Sequence, residues 1–321
     1  MTSRQHTDTE AEGTGARTQP LFLLAMDHRD SLARTVYGID GSPTTTEAER
    51  ISAGKQLVYR GLVEAVRRGA DPALTGVLVD ERYGAAVARE ARAAGLTLAM
   101  PIERSGQPWF TLEYGSSTDW KWLEHVDAFN PDHVKVLIRD NPGFGDRDRR
   151  TQQENLAAVS QVLRDVGRSL LLELLVPATP EQKDRHGDGY DDDLRPELTE
   201  QVIGDMQQAG VEPDIWKIEG LDAPEAADRI VAVAQRGGRG QVQCIVLGRD
   251  APPKDLDRWL SVAAAVDGFH GFAIGRSIWE EPLAAQLAGT IGDDRLIGQV
   301  ADNYLHYVAT YTGAQPSSRD S

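Results

Sequence analysis

The stretch "LFLLAMDHRDS", residues 21–31, opens as an apolar run and turns abruptly to charge at Asp27, His28 and Arg29. The apolar part reads as a strand buried on both faces, as in a parallel sheet. In a doubly wound dinucleotide-binding sheet, G-x-G-x-x-G would follow the first strand; here "DHRDS" follows it. The same design recurs in "LTGVLVDER" (74–82), "LTLAMPIE" (96–103), "HVKVLIRDN" (133–141) and "SLLLELLVP" (169–177). It continues in "PDIWKIEG" (213–220), "QVQCIVLGRD" (241–250) and "GFHGFAIGRSIW" (268–279). Amphipathic segments lie between these runs, at about 45–69, 84–94, 119–128, 149–167, 196–209, 223–236 and 254–265, and the remainder reads as helix to about 312. Near the first of them, "TTTEAER" supplies capping residues. The glycine-rich "RGGRG" (236–240) precedes a strand and reads as a helix C-terminal turn. Eight strand–helix units predict an α/β chain folded as one (β/α)8 TIM barrel over residues 20–312, with 1–19 and 313–321 as disordered tails.

The 321 residues carry a net charge of −16, which argues against nucleic acid or an anionic membrane as the main partner. Hydrophobic content of 40% supports a large core. One cysteine, Cys244, sits in the apolar "VQCIVLG", so no disulfide framework is expected and a reducing cytoplasm is. No apolar stretch nears the roughly 20 residues of a membrane-spanning helix, and the polar N-terminus does not read as a signal peptide, so none is expected. Homo-oligomerisation stays open.

Active sites of such barrels lie at the C-terminal ends of the strands. Charges gather there: Asp27, His28 and Arg29; Asp80 and Glu81; Glu103; Lys135 and Arg139; Glu173; Lys217 and Glu219; Arg249; and Arg276. Lys135, Glu173 and Lys217 stand out, because apolar residues flank each of them and buried Lys and Glu are rare unless paired. In "DIWKIEG", strand alternation places Ile215, Lys217 and Glu219 on one face and Trp216 and Ile218 on the other. Burial beside other cations favours the neutral amine of such a lysine. A neutral amine can attack a ketone to form a Schiff base, an electron sink beside which a carbon–carbon bond breaks or forms. Glu173 and Lys135, with Asp27, are the candidate proton carriers.

The ends of the seventh and eighth strands, "LGRDA" and "AIGRSIW", are the usual phosphate site of this fold. Gly248 and Gly275 would let backbone N–H groups approach a phosphate, with Arg249 and Arg276 adding charge-assisted hydrogen bonds. A phosphorylated keto compound is therefore the expected ligand.

"LFLLAMDHRDS", "VDERYG", "VKVLIR", "LLELLVP", "DIWKIEGLD", "CIVLGRD" and "GFAIGRSIW" together resemble the 2-deoxy-5-keto-gluconate 6-phosphate aldolase domain family, over residues 20–312. That domain is often fused to the 5-dehydro-2-deoxygluconokinase of inositol catabolism. It is similar to the class I tagatose-bisphosphate and sulfofructose-phosphate aldolases. The resemblance implies a Schiff base on Lys217 in its K-x-E setting, assistance from Lys135 and Glu173, and phosphate binding at Gly275 and Arg276. It further implies cleavage of 2-deoxy-5-keto-gluconate 6-phosphate to dihydroxyacetone phosphate and malonate semialdehyde, with no cofactor and no metal. Arg29 and Arg139 are the candidates to hold the substrate carboxylate, with His28 and Glu219 as further substrate-binding residues.

Three other readings compete. A metal-dependent aldolase needs converging histidines or carboxylates, but the seven histidines are scattered and only His28 and His270 are placed to reach the mouth. The acidic "DRHGDGYDDD" (184–193) does not match a calcium loop and reads as solvated and mobile. A class I aldolase for another ketose phosphate, or a non-catalytic sugar-phosphate-binding barrel, would keep the phosphate site.

Overall fold

The computed structural model describes residues 19–315. Eight parallel strands close into a barrel in sequence order: β1 Leu21–Ala25, β2 Thr75–Leu78, β3 Thr97–Pro101, β4 His133–Arg139, β5 Ser169–Leu175, β6 Ile215–Glu219, β7 Gln243–Leu247 and β8 Phe269–Ile274. The helices are α1 Asp30–Thr35, α2 Thr45–Arg67, α3 Glu81–Ala93, α4 Lys121–Phe129, α5 Asp146–Asp165 and α6 Pro180–His186, followed by α7 Tyr190–Asp193, α8 Arg195–Gln208, α9 Pro224–Ala234, α10 Pro253–Ala265, α11 Arg276–Leu287 and α12 Asp293–Ala314. The (β/α)8 expectation holds.

Strand alternation divides the core in two. Leu23, Ala25, Leu78, Ala99, Leu171, Ile215, Ile245 and Ala273 pack inside the ring, while Trp216 and Ile218 join the much larger layer between sheet and helices. The expected facing of the sixth strand is therefore correct for Ile215, Trp216, Lys217 and Ile218, while Glu219 at the strand's end does not line the pocket inside the ring. Register is pinned from outside the strands as well. Asp132, just before β4, accepts from Leu98 N–H at 2.9 Å, and Asp214, just before β6, accepts from Leu170 N–H at 2.7 Å. Each carboxylate satisfies a backbone donor at the start of the neighbouring strand. Thr44 caps α2 in a reciprocal box with Glu47.

Three expectations need adjustment. "GRSIW" does not extend the eighth strand: β8 ends at Ile274, Gly275 turns the chain, and Arg276 begins α11. The acidic segment 184–193 is not a mobile loop but runs through α6, a 3₁₀ turn and α7. It is tied down by buried Tyr190, whose hydroxyl donates to Val176 O at 2.9 Å. The tails expected at 1–19 and 313–321 lie almost wholly outside the described residues, and α12 continues to Ala314. No described helix is long and apolar enough to cross a membrane.

Candidate active site

A pocket of about 430 Å³ opens at the C-terminal ends of the strands, a size suited to a small metabolite. Its floor is set by strand register. Glu173 on β5 lies directly beside Lys217 on β6, and Leu137 on β4 lies beside Glu173 on its other side, so Lys135 reaches Glu173 diagonally. Ala25 and Ala273, on adjoining strands, are short enough to leave open volume above them, and both line the pocket.

Four buried ionic contacts join the floor. Lys217 Nζ is 3.0 Å from Glu173 Oε1. Glu173 Oε2 is 3.1 Å from Lys135 Nζ, which also donates to Asp27 Oδ2 at 2.7 Å and Glu103 Oε1 at 2.8 Å. Lys135 is 1% and Lys217 3% exposed, so both charges are out of water and depend on these partners. Burial opposes the charge on Lys135, but Asp27, Glu103 and Glu173 more than offset it and hold its pKa well above the ordinary lysine value. Burial raises the carboxyls too. In Glu173 the two lysines outweigh it, and in Asp27 the outweighing comes from Lys135, then His28 and Lys217, so both pKa values fall below the carboxylate range. In Glu103 burial wins over Lys135 and Arg29, and its pKa is raised. Its Oε2 has no hydrogen-bond partner. One carboxyl inclined to stay protonated thus shares the floor with two that are held ionised, a separation of pKa values that lets neighbouring carboxyls take different roles.

His28 lines the pocket with its ring edge-on to Trp279. Burial pushes its pKa down to about 4 against the opposing pull of Asp27, so it is neutral at pH 7. Arg29 is buried between Glu103, at 3.4 Å, and Glu113, at 3.8 Å, so its charge is already matched inside the protein. That counts against its expected role as the carboxylate clamp. Arg139 is half-buried, donates to Gln107 O at 3.3 Å and faces the pocket.

On the opposite side, α11 begins without a side-chain cap, and Gly275, Arg276 and Ser277 line the pocket at its N-terminus. A helix start of this kind offers free N–H groups to an anion. Gly275 has a packing reason to be glycine as well: a Cβ there would lie 2.5 Å from Ala25 O and 3.0 Å from His28 Cε1. Gly248 is less tightly held, with its nearest neighbour Ile274 at 3.3 Å from a Cβ position. Arg249 and Asp250 both adopt positive φ, 47° and 59°, an unusual pair of non-glycine left-handed residues at the rim. Both rim arginines are already paired: Arg276 with Asp250 at 3.0 Å, and Arg249 with Asp191 at 2.8 Å and Glu219 at 2.9 Å. Glu219 does not reach the pocket. It accepts from Val176 N–H and holds Arg249, a supporting role rather than the expected substrate contact.

Other strand-end charges prove structural. Asp80 caps α3 and pairs with buried Lys55, which also donates to Met26 O at 2.7 Å and His28 O at 2.9 Å. Lys55 thereby fixes the backbone on both sides of Asp27. Glu81 contacts His125 and Tyr114 at 2.7 Å. Nothing in the sequence marked Lys55, because its partners are distant in the chain. Glu103 lies two residues past the end of β3, and its place at the close of the apolar run "LTLAMPIE" was its signal. Among the described residues no group of three or more His, Cys, Asp or Glu is placed to hold a metal.

Eight cationic and five anionic side chains line the pocket, reversing the sign of the strongly acidic chain. Such a local field draws in an anionic ligand.

The family described as "Uncharacterized protein conserved in bacteria (DUF2090)" matches residues 3–315. The chain belongs to this family. The chain shares the barrel just described with several solved structures. An archaeal fructose 1,6-bisphosphate aldolase aligns with a TM-score of 0.56 at 16% identity, covering 92% of this chain and 94% of that one. A Corynebacterium glutamicum protein aligns at 0.55 and 17%, covering 91% and 86%. A fructose-bisphosphate aldolase from Slackia heliotrinireducens aligns at 0.52 and 13%, covering 94% and 88%. At these identities the likeness is one of fold. No curated protein sequence matches the chain.

Proposed function

We propose that this DUF2090 protein is a class I aldolase that cleaves a phosphorylated keto sugar acid, with Lys217 as the Schiff-base residue. The observation that carries this is the unequal treatment of two buried lysines. Three carboxylates surround Lys135 and keep it charged, whereas Lys217 touches Glu173 alone and faces the open pocket. An ammonium so enclosed is a hydrogen-bond donor and an electrostatic anchor, not a nucleophile. The proton that Lys217 must shed to attack a ketone has an acceptor 3.0 Å away in Glu173. The aldolases among the structural relatives support the same reaction class.

The substrate that fits this reading best is 2-deoxy-5-keto-gluconate 6-phosphate, the one implied by the family resemblance of the strand motifs. Its phosphate would sit at the N-terminus of α11, placing the C5 ketone over Lys217. The amine adds to C5 and water leaves, giving a protonated imine. Glu173 takes the C3 hydroxyl proton, the C3–C4 bond breaks, and its electrons pass to the imine nitrogen. Malonate semialdehyde departs. Protonation of the enamine at C4, for which Glu103 is the best-placed acid, and addition of water then release dihydroxyacetone phosphate and regenerate Lys217.

The test is release of dihydroxyacetone phosphate by the purified chain from a panel of keto-sugar phosphates, followed with a coupled dehydrogenase. Turnover that persists in excess chelator supports the reading. Turnover abolished by chelation, or none across the panel, overturns it.

A further inference from the structure

We propose that the pocket holds a second anion subsite, formed by Arg104 and Arg139 and flanked by Arg34, so that the substrate carries a negative group at each end. The inference deepens the aldolase reading and rests on it for the substrate's orientation. It comes from how the rim arginines are paired. Arg29, Arg249 and Arg276 are matched by Glu103 and Glu113, by Asp191 and Glu219, and by Asp250. Among the described residues, Arg34 and Arg104 have no side-chain hydrogen bond or ion pair, and Arg139 bonds only a backbone carbonyl. All three line the pocket. The carboxylates on that side are committed elsewhere, Glu103 to Lys135 and Arg29, and Asp30 to Arg82 at 3.5 Å.

Barrel topology gives this set its position. In the closed ring β4 is four strands from β8 in either direction, and β3 is four from β7. Arg139 ends β4 and Arg104 follows β3, so they face Gly275 and Arg249 across the mouth with the two lysines between. The Arg139 bond to Gln107 O anchors the loop that carries Arg104. Two guanidinium groups arranged this way suit a carboxylate or a phosphate, each of which accepts paired hydrogen bonds. The uncompensated charge lies at the end far from α11, where a monoanionic-ended ligand would leave it unused.

The decisive experiment uses ligands with no ketone, which cannot form a Schiff base. Calorimetric titration of the full chain would compare glucitol 6-phosphate, 6-phosphogluconate and glucitol 1,6-bisphosphate. At least one doubly anionic ligand should bind about tenfold tighter than glucitol 6-phosphate, and which one does so distinguishes a carboxylate from a phosphate at the far end. Arg104→Ala combined with Arg139→Ala should remove that preference while leaving glucitol 6-phosphate binding within about twofold, which also shows that the variant is folded. The double Lys replacement should recover part of the preference. Equal affinities in the wild type, or a preference that survives the double Ala variant, would overturn the proposal. Lys217→Met should retain the preference, so failure of the Schiff-base chemistry would show separately, as loss of turnover with the subsite intact.

Discussion

Glu173 and Lys217 are register partners on β5 and β6, and their side chains meet 3.0 Å apart on the floor of the pocket. Because the same carboxylate also holds Lys135, the proton relations of both lysines pass through one residue. Glu173→Gln should lower kcat by roughly 10²–10⁴-fold, the usual worth of a general base. It should also slow imine formation, which rapid-quench measurement of the enzyme-bound intermediate would show. Unchanged imine formation with slow cleavage would confine Glu173 to the bond-breaking step.

Glu103 is the carboxyl whose pKa burial raises, against the pull of Lys135 and Arg29. If it acts as the acid, it works only while protonated, so the rate should decline as pH rises through its raised pKa. Glu103→Gln should remove that alkaline limb and lower kcat by roughly 10²-fold or more. A variant that kept the limb would assign it to another group.

Half-buried His28 should make the fold acid-sensitive. Its folded pKa, about 4, lies below its ordinary value of 6.5. Between those values the unfolded chain binds more protons, so stability is complete above pH 6.5 and falls as pH drops towards 4. The loss attributable to His28 should be of the order of 2–3 kcal/mol. Urea melts across this range should be flatter for His28→Gln than for the wild type.

Lys55 and Asp80 form a buried pair beneath the end of β1. Lys55→Met leaves Asp80 charged and unpaired, and should cost about 3–5 kcal/mol in chemical denaturation. Lys55→Met with Asp80→Asn should recover much of that loss. Full stability in the single variant would show that Asp80 finds another partner.

Gly275→Ala should cost about 1–3 kcal/mol, because the added methyl meets the Ala25 carbonyl where β8 closes against β1. It should also raise KM for a phosphorylated substrate, since relief of that contact displaces the start of α11.

The barrel could be read in the sequence because each strand is a short apolar run with its charges on one side, and that asymmetry survives in the ring. Lys135, Glu173 and Lys217 were legible for the same reason: a charge flanked by apolar residues within a strand has nowhere to go but inward. Partnerships were not legible. Arg29, Arg249 and Arg276 looked free to bind substrate, yet their carboxylate partners Glu113, Asp191 and Asp250 come from loops and helices whose placement depends on tertiary packing. Glu219 shared the inward face with Lys217 in the strand pattern, but at the strand's end it turns to Val176 and Arg249. The helical form of 184–193 was hidden because its composition is that of a solvated loop, and buried Tyr190 provides the anchor.

The most direct measurement is borohydride reduction of the protein mixed with dihydroxyacetone phosphate, followed by intact-mass and peptide analysis. One covalent adduct per chain on the peptide that carries Lys217, absent in Lys217→Met, is the expected result. An adduct on Lys135, or no adduct at all, would contradict the assignment of the reactive amine.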